Sequence, residues 1–231
     1  MSDLRTTPDV WIDCDPANIQ WSFLQKAKKE GHHLGISYST LISKPDALFA
    51  EITKALDTPV IKGYDAPLSQ SLQNGSNQES PIAKMQETLK NASKFWIMTI
   101  GPLTNIAAFL SCTPDIREKL EGIVIVGGGV YRGDVLPSVE GSFAADPEAA
   151  SIVIHSGLPV YLIPFEMKKA LHGDFHFADL VWEKAFVDID LWGKSTRGAS
   201  VVDFNSKITG RKANVFVLTG VGKTRLQHGH V

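Results

Sequence analysis

Two aspartates near the start of the chain have the spacing of a catalytic or metal-binding pair. The stretch VWIDCDPANIQW (residues 10–21) places Asp13 and Asp15 at alternate positions of an apolar run that Pro16 ends. A buried strand that ends in this way delivers carboxylates to the edge of a sheet, where they can bind a cation or take a proton from water. No further acid follows until Glu30. The pair is therefore either part of a metal site or the remnant of a metal site that has lost its other acidic ligands. Without a cation, like charges held this close should raise the pKa of at least one carboxyl group.

Two further segments lead from a strand or a loop into a helix. TIGPLTNIAAFL (residues 99–110) takes a strand through a Gly-Pro turn into a helix whose first turn carries Thr104 and Asn105. The backbone carbonyls here could face a ligand, or the segment could be an ordinary strand–turn–helix corner. Asp146 and Pro147, in DPEAA, have a structural interpretation, because aspartate caps a helix and proline suits its first position.

Three other patterns resemble known sites but lack essential parts. The segment 126–141, VGGGVYRGDVLPSVEG, has glycines at a strand end without the order or the following helix of a phosphate-binding loop. TGVGKT (residues 219–224) lacks the first glycine and the helix of such a loop. His172 and His176 have the one-turn spacing of a zinc pair, but Gly173 lies between them and no glutamate is near. We therefore expect neither a phosphate loop nor a zinc site.

The elements that would position these residues alternate between strands and helices. Short apolar runs predict buried parallel strands at 10–13, 34–39, 59–63, 95–100, 122–128 and 159–165. Helical patterns lie between several of them, at 47–56, 80–93 and 146–157. Residues 69–80 are polar and predict a surface loop, while 186–204 and 212–221 predict short antiparallel strands. The pattern indicates an α/β fold with an open, mostly parallel Rossmann-like sheet, helices on both faces and a small antiparallel C-terminal edge.

The composition limits the class of protein. With 231 residues, 43% of them hydrophobic, the chain can bury the core of one domain, which we expect to span residues 1–231. A net charge of −2 and the lack of an apolar run of about 18 residues argue against nucleic-acid or membrane partners. A polar start and two cysteines, Cys14 and Cys112, predict a cytoplasmic protein with reduced thiols.

The motifs taken in order resemble the nucleoside hydrolase family of inosine- and uridine-preferring, Ca²⁺-dependent N-ribohydrolases. The resemblance rests on WIDCDP, LGIS, PVIKG, IGPLTNIAAFL, IVIVGGG, RGDVLPSVEG, DPEAA, SGLPVYLIPF and TRGASVVD, and it covers most of residues 9–219. It implies an open α/β fold, a bound Ca²⁺ ion, hydrolysis of ribonucleosides to base and ribose, and a homo-oligomeric cytoplasmic enzyme.

The resemblance also implies roles for individual residues. Cleavage of an N-ribosidic bond builds positive charge on the sugar, so the site needs a carboxylate base and groups that hold the ribose hydroxyls. By resemblance, Asp15 is that base and a metal ligand, and the backbone carbonyl of Ile100 is a second ligand. Asp13 supports the ligands without binding the metal itself. The family's ribose-binding positions fall on three residues: Asp134, Glu140 and Ser142.

The chain differs from the family pattern at several of these positions. After DCDP the family has glycine, one further residue and two aspartates, whereas residues 17–20 are Ala, Asn, Ile and Gln. Asp134 and Ser142 replace two amides of the family motifs, and Asp174 does not have the spacing of the late metal aspartate. Two interpretations remain open: a nucleoside N-glycosidase weakened by lost ligands, or a noncatalytic nucleoside- or partner-binding relative or truncated gene product.

Overall fold

Strands and helices alternate along the chain in the computed structural model, which describes residues 9–16, 33–45, 47–55, 58–71, 81–172 and 179–226. The strands are β1 (Asp9–Cys14), β2 (His33–Tyr38), β3 (Val60–Lys62), β4 (Phe95–Ile100), β5 (Leu120–Val126), β6 (Val160–Ile163), β7 (Leu180–Ile189), β8 (Ser200–Phe204), β9 (Val215–Val221) and β10 (Thr224–Arg225). The helices are α1 (Ala47–Ala55), α2 (Leu68–Ser71), α3 (Pro81–Leu89), α4 (Thr104–Cys112), α5 (Pro114–Arg117), α6 (Gly141–Ala145) and α7 (Pro147–Ile154), followed by a 3₁₀ helix, Phe165–His172. Each predicted strand from 10–13 to 159–165 is present.

The described strands form one sheet in the order β3-β2-β1-β4-β5-β6-β9-β7-β8, with β10 paired to β9. Strands β3 to β6 pair in parallel, while β7 pairs antiparallel with both β8 and β9. The predicted fold class is therefore confirmed, including the antiparallel edge. The sequence did not show that β9 also pairs in parallel with β6, so that the last long strand is inserted inside this edge.

Both faces of the sheet are covered, as the continuous apolar strands predict. Neighbouring residues of β1 point to opposite faces: Trp11 packs into the large cluster that contains Leu89, Phe109 and Val153, whereas Ile12 packs with residues of the opposite face. Trp11 and Ile12 are fully buried. A strand that is apolar on both faces needs such cover, and this is why β1 does not alternate between polar and apolar residues.

The order of the strands determines where a ligand can bind. The chain runs from β1 outward to β2 and β3, then returns to β4 on the other side of β1. In open α/β sheets a crevice forms outside the carboxyl ends of the strands where the order reverses, which here is between β1 and β4. Asp13 and Asp15 lie at the carboxyl end of β1, and residues 99–105 continue from β4 into α4.

Several smaller predictions can be compared with the structure. Residues 69–71 belong to α2 rather than to the predicted loop, and 72–80 lie outside the described residues. TGVGKT forms the β9–β10 hairpin and so is not a phosphate loop, while His176 and Asp174 lie outside the described residues. Cys14 and Cys112 are both free thiols, the first buried and the second exposed. No helix within the described ranges is long and apolar enough to span a bilayer.

Candidate active site

The carboxyl ends of β1 and β4 are in direct contact. The Asp15 N–H donates to the Ile100 carbonyl at 3.1 Å, so this predicted metal ligand already accepts one hydrogen bond. Gly101 makes the approach possible, because a Cβ atom there would lie only 2.6 Å from the Asp15 nitrogen. Asp13 and Asp15 are both fully buried at this junction. The sheet therefore brings together the three predicted metal-site residues.

Asp13 is held by neighbours on both sides of β1. Its Oδ1 atom accepts a hydrogen bond from Ser37 Oγ on β2 at 2.5 Å and another from Asn105 Nδ2 on α4 at 2.9 Å. Its Oδ2 atom is buried without a hydrogen-bond partner among the described residues. Burial raises the pKa of Asp13 from 3.8 to about 7, although the bonds from Ser37 and Asn105 lower it. The expected rise in pKa is thus confirmed, but its cause is burial rather than repulsion between the two aspartates.

Asn105 connects this carboxylate to a third strand. Its Oδ1 atom accepts the Tyr64 N–H at 2.9 Å, directly after β3, while its Nδ2 atom donates to Asp13. Gly63 leaves room for the amide, since a Cβ atom there would overlap the Asn105 side chain. The position of Asn105 in the first turn of α4 suggested that it could face a site, but its partner was not foreseen because it lies 92 residues away.

Asp15 is bound by Ser43, a residue that the sequence did not single out. Ser43 Oγ donates to Asp15 Oδ1 at 2.5 Å, and the Ser43 N–H donates to Oδ2 at 3.1 Å. One residue of the segment after β2 therefore occupies both oxygens of the carboxylate. This contact holds Asp15 in place and also competes with any cation or water for the same lone pairs.

The three predicted ribose-binding residues meet at the start of α6. Glu140 is 3% exposed and caps this helix: its Oε2 atom accepts the N–H groups of Gly128 at 2.9 Å and Ser142 at 3.1 Å. Ser142 Oγ donates to Glu140 Oε1 at 3.1 Å, and exposed Asp134 accepts the Gly141 N–H at 2.8 Å. Glu140 is thus anchored beside the end of β5, two strands from β1 in the sheet order, and the two strands lie roughly 10 Å apart.

The 3₁₀ helix after β6 adds residues that the sequence did not predict. Glu166 Oε1 accepts the N–H groups of three consecutive residues, 130–132, and so fixes the loop after β5. Lys168 Nζ lies 3.9 Å from Glu140 Oε1, with 31% of the lysine side chain exposed. Arg132 lies over the ring of Phe165, 5.5 Å from its centroid. No motif marked these residues, because the contacts depend on how the loop folds back.

The described residues do not form a Ca²⁺ shell on their own. They contain no group of three or more His, Cys, Asp or Glu residues arranged to hold a metal. The predicted metal-site residues offer the oxygens of Asp15, which Ser43 already binds, the Ile100 carbonyl and the unpartnered Oδ2 of Asp13. Since Ca²⁺ takes six to eight oxygen ligands, this donor set is too small. Residues 17–20 and Asp174 lie outside the described residues.

A second polar cluster lies away from this edge. His155 Nε2 is 3.0 Å from Asp188 Oδ1, and Arg211 Nη1 is 3.7 Å from Asp188 Oδ2. A surface groove of about 650 Å³ adjoins it, lined in part by exposed Trp192. None of the predicted site residues lines this groove, so its size does not make it the active site.

Comparison with known proteins places the chain among nucleoside hydrolases. It is 26% identical to the pyrimidine-specific ribonucleoside hydrolase RihA of Salmonella paratyphi B and of Salmonella typhi, over 80% of this chain and 78% of each relative. A plant nucleoside hydrolase, PpNRh1, has a similar structure with a TM-score of 0.69 and 18% identity, covering 94% of this chain and 95% of the other.

A second solved structure gives the same result. The inosine-uridine preferring nucleoside hydrolase from Bacillus anthracis has a TM-score of 0.71 and 14% identity, covering 93% of this chain and 95% of the other. These structural similarities establish the α/β fold. The profile of the inosine-uridine preferring nucleoside hydrolase family matches residues 10–178, well over half of the chain. On this match, the chain belongs to the inosine-uridine preferring nucleoside hydrolase family.

Proposed function

We propose that the chain hydrolyses the N-ribosidic bond of ribonucleosides, at a rate reduced by the incomplete site. The observation that carries this proposal is the buried carboxylate of Asp15 at the switch point of the sheet, on the same carboxyl edge as Glu140, with one strand, β4, between β1 and β5. The pyrimidine specificity of the RihA relatives makes uridine the first substrate to test.

The proposed chemistry divides the work between the two groups. The carboxylate of Asp15 takes a proton from the attacking water, with Ser43 holding it in position. Glu140, Ser142 and Asp134 accept hydrogen bonds from the ribose hydroxyls and stabilise the positive charge that develops on the ring. Water and ribose must compete with the protein's own donors for Asp15 and Glu140, which supports a slow reaction.

We further propose that Ca²⁺ binds weakly or not at all. The ion is expected from family resemblance, where it would hold water and ribose diol, but the described residues offer too few oxygens for it. Calorimetric titration of the protein with CaCl₂ tests this. Saturable binding at micromolar or lower concentration would contradict the proposal.

The second candidate function is noncatalytic binding of a nucleoside or of a partner. The observation in its favour is that, within the described ranges, four donors already engage the oxygens of Glu140 and at least two engage those of Asp15. A site whose acceptors are internally satisfied can retain the shape of a nucleoside pocket without performing hydrolysis. Calorimetry with uridine in the absence of turnover would identify this case.

The deciding experiment measures reducing sugar released from uridine and inosine by the purified protein, with and without Ca²⁺. We expect slow turnover in the parent and a loss of about 100-fold or more in Asp15→Asn, because a general base contributes roughly 10²- to 10⁴-fold. Asp115→Asn, an exposed aspartate in the first turn of α5, is the matched control and should retain parental activity. Turnover that is equal in Asp15→Asn and the parent would refute the role of Asp15.

Family resemblance also supports a cytoplasmic location and a homo-oligomeric state, which we include in the proposal. Light scattering coupled to size-exclusion chromatography measures the mass of the particle in solution. A mass of 25.2 kDa, that of one chain, would contradict the oligomer.

A further inference from the structure

The two end strands of the sheet differ in how well they are protected against pairing. Among the described strands, β3 lies at one end of the order and β8 at the other. β3 has three residues and ends in Lys62, whose side chain is exposed. A very short strand and an exposed lysine are two ways in which proteins block the edge of a sheet. β8 has five residues, Ser-Val-Val-Asp-Phe, and no lysine, so it lacks both protections.

The one charged residue of β8 does not protect this edge either. Asp203 is buried, and its carboxylate accepts hydrogen bonds from the N–H groups of Ile208 and Thr209 and from the Thr209 hydroxyl. Within the described ranges β8 pairs with β7 alone, so no strand lies beside its outer N–H and C=O groups. An edge of this kind is a template for pairing with a further strand.

Exposed apolar side chains lie at both ends of this edge. Trp192, in the turn from β7 to β8, is 91% exposed, and Ile208, which follows β8, is 86% exposed. Val201, on β8 itself, is 49% exposed and lines the same groove as Trp192. These are three of the seven large apolar side chains that are exposed in the described parts of the chain, so exposed apolar surface is concentrated around β8.

The positions of these side chains favour a second copy of the chain as the strand that pairs with β8. In antiparallel pairing of two identical strands, the start of each strand lies beside the end of the other. Trp192, at the start of β8, then meets Ile208 of the second copy, and the twofold axis repeats the contact. Asp190, next to that turn, likewise approaches the exposed Lys207 of the second copy. A peptide of unrelated sequence would pair with the backbone without supplying these matched side chains.

The size of the contact predicts a dimer of moderate affinity. A buried aromatic side chain covers about 150–250 Å². Two tryptophans, their isoleucine partners and the paired strand edges therefore give an interface of roughly 1,000 Å², near the lower limit for specific protein–protein contacts. We expect a dissociation constant on the order of micromolar, so the protein should pass from monomer to dimer over concentrations that are reached in solution.

From these observations we infer that β8 is a dimerisation edge, at which two copies of the chain join their sheets through antiparallel β8 strands, with Trp192 of each copy packed against Ile208 of the other. The inference rests on the proposed function only for the expectation of a homo-oligomer, and it names the surface that forms it. It does not depend on hydrolase activity.

Light scattering coupled to size-exclusion chromatography, at loading concentrations from about 1 to about 300 µM, measures the dimer and its dissociation constant. We expect the mass of the parent to rise from 25.2 kDa towards twice that value. Trp192→Ala and Ile208→Ala should each raise the dissociation constant about tenfold or more, because each removes two buried apolar contacts. Ile42→Ala is the matched control: this isoleucine is 46% exposed after β2, far from β8 in the sheet order, and should change the constant by less than about twofold.

Two further measurements make the result specific to this edge. The double variant Trp192→Ala/Ile208→Ala should weaken the dimer by less than the product of the two single effects, because either substitution alone already breaks their shared contact. Hydrogen exchange at the amides of β8 should slow as the protein concentration rises, while exchange at β3 should not change. Because Trp192 and Ile208 lie almost wholly in solvent, the variants should keep the circular dichroism spectrum of the parent.

The outcomes separate this inference from the proposals above. A mass that stays at 25.2 kDa over the whole range would refute both the homo-oligomer and the dimerisation edge. An oligomer whose stability is unchanged in Trp192→Ala, and whose β8 amides exchange at the same rate at every concentration, would refute the edge and leave the homo-oligomer standing. Single effects that multiply in the double variant would overturn the contact between Trp192 and Ile208. Absent turnover would count against the hydrolase proposal and would leave these measurements unaffected.

Discussion

Replacing Asp13 by Asn should make the protein more stable, and increasingly so as the pH rises. Asp13 is fully buried, and its pKa is raised from 3.8 to about 7 by desolvation. Asp13 therefore binds a proton more tightly in the folded protein than in the unfolded chain. Its ionisation consequently lowers the stability of the folded protein as pH rises from about 4 to about 7. Asparagine cannot ionise, and its carbonyl can still accept the bonds from Ser37 and Asn105.

The size of the effect follows from the shift in pKa. A pKa raised from 3.8 to about 7 corresponds to roughly 4 kcal/mol of stability that the parent has lost above pH 7 and retains below pH 4. The added N–H group of Asn takes the place of Oδ2, which has no partner among the described residues, and this costs about 1–3 kcal/mol at every pH. The difference in unfolding free energy between variant and parent should therefore increase by about 2–3 kcal/mol between pH 5 and pH 8.

Urea unfolding of both proteins, followed by circular dichroism at several pH values, measures this difference. Asp188→Asn is the matched control: desolvation raises the pKa of Asp188, but hydrogen bonds from His155 and the Ile189 N–H, together with the charges of His155 and Arg211, lower it overall. Its loss should cost stability at neutral pH and less under acid conditions, the opposite sign. A difference for Asp13→Asn that stays constant from pH 5 to pH 8 would refute the argument that burial keeps this carboxyl protonated.

Two further substitutions test the contacts that support the site. Ser43→Ala removes the hydroxyl bond to Asp15 but keeps the N–H bond, so we expect a loss of about 1–2 kcal/mol in unfolding free energy, measured by urea titration. Ser111→Ala, which loses only a bond to a carbonyl of its own helix, should change it by less than about 0.5 kcal/mol, and equal losses would contradict the role given to Ser43. Asp146→Ala leaves the Leu68 N–H and the Thr104 hydroxyl without their acceptor and removes the cap of α7, so we expect a loss of roughly 3–5 kcal/mol by the same assay. A loss below about 1 kcal/mol, the size expected for a lone cap, would show that the two buried bonds contribute little.

Local sequence was sufficient to predict most of the architecture. Continuous apolar runs identified β1 to β6, and turn and cap residues identified the corners at Gly101 and Asp146. These features are predictable because they depend on neighbouring residues: a buried parallel strand must be apolar along its length, and a helix start needs a particular cap. The same reasoning placed Asp13 and Asp15 at the carboxyl edge of the sheet, because their positions depend only on where β1 ends.

The environment of those carboxylates was decided only by the tertiary structure. Asp13 meets Asn105 across 92 residues of sequence, Asp15 meets Ser43 across 28, and Glu140 meets Lys168 through the fold of a loop. Such contacts depend on the order of strands in the sheet, which local propensity does not encode. The pKa of Asp13 likewise depends on complete burial rather than on the neighbouring acid in the sequence, because removing a carboxylate from water disfavours its charge whatever lies beside it in the chain.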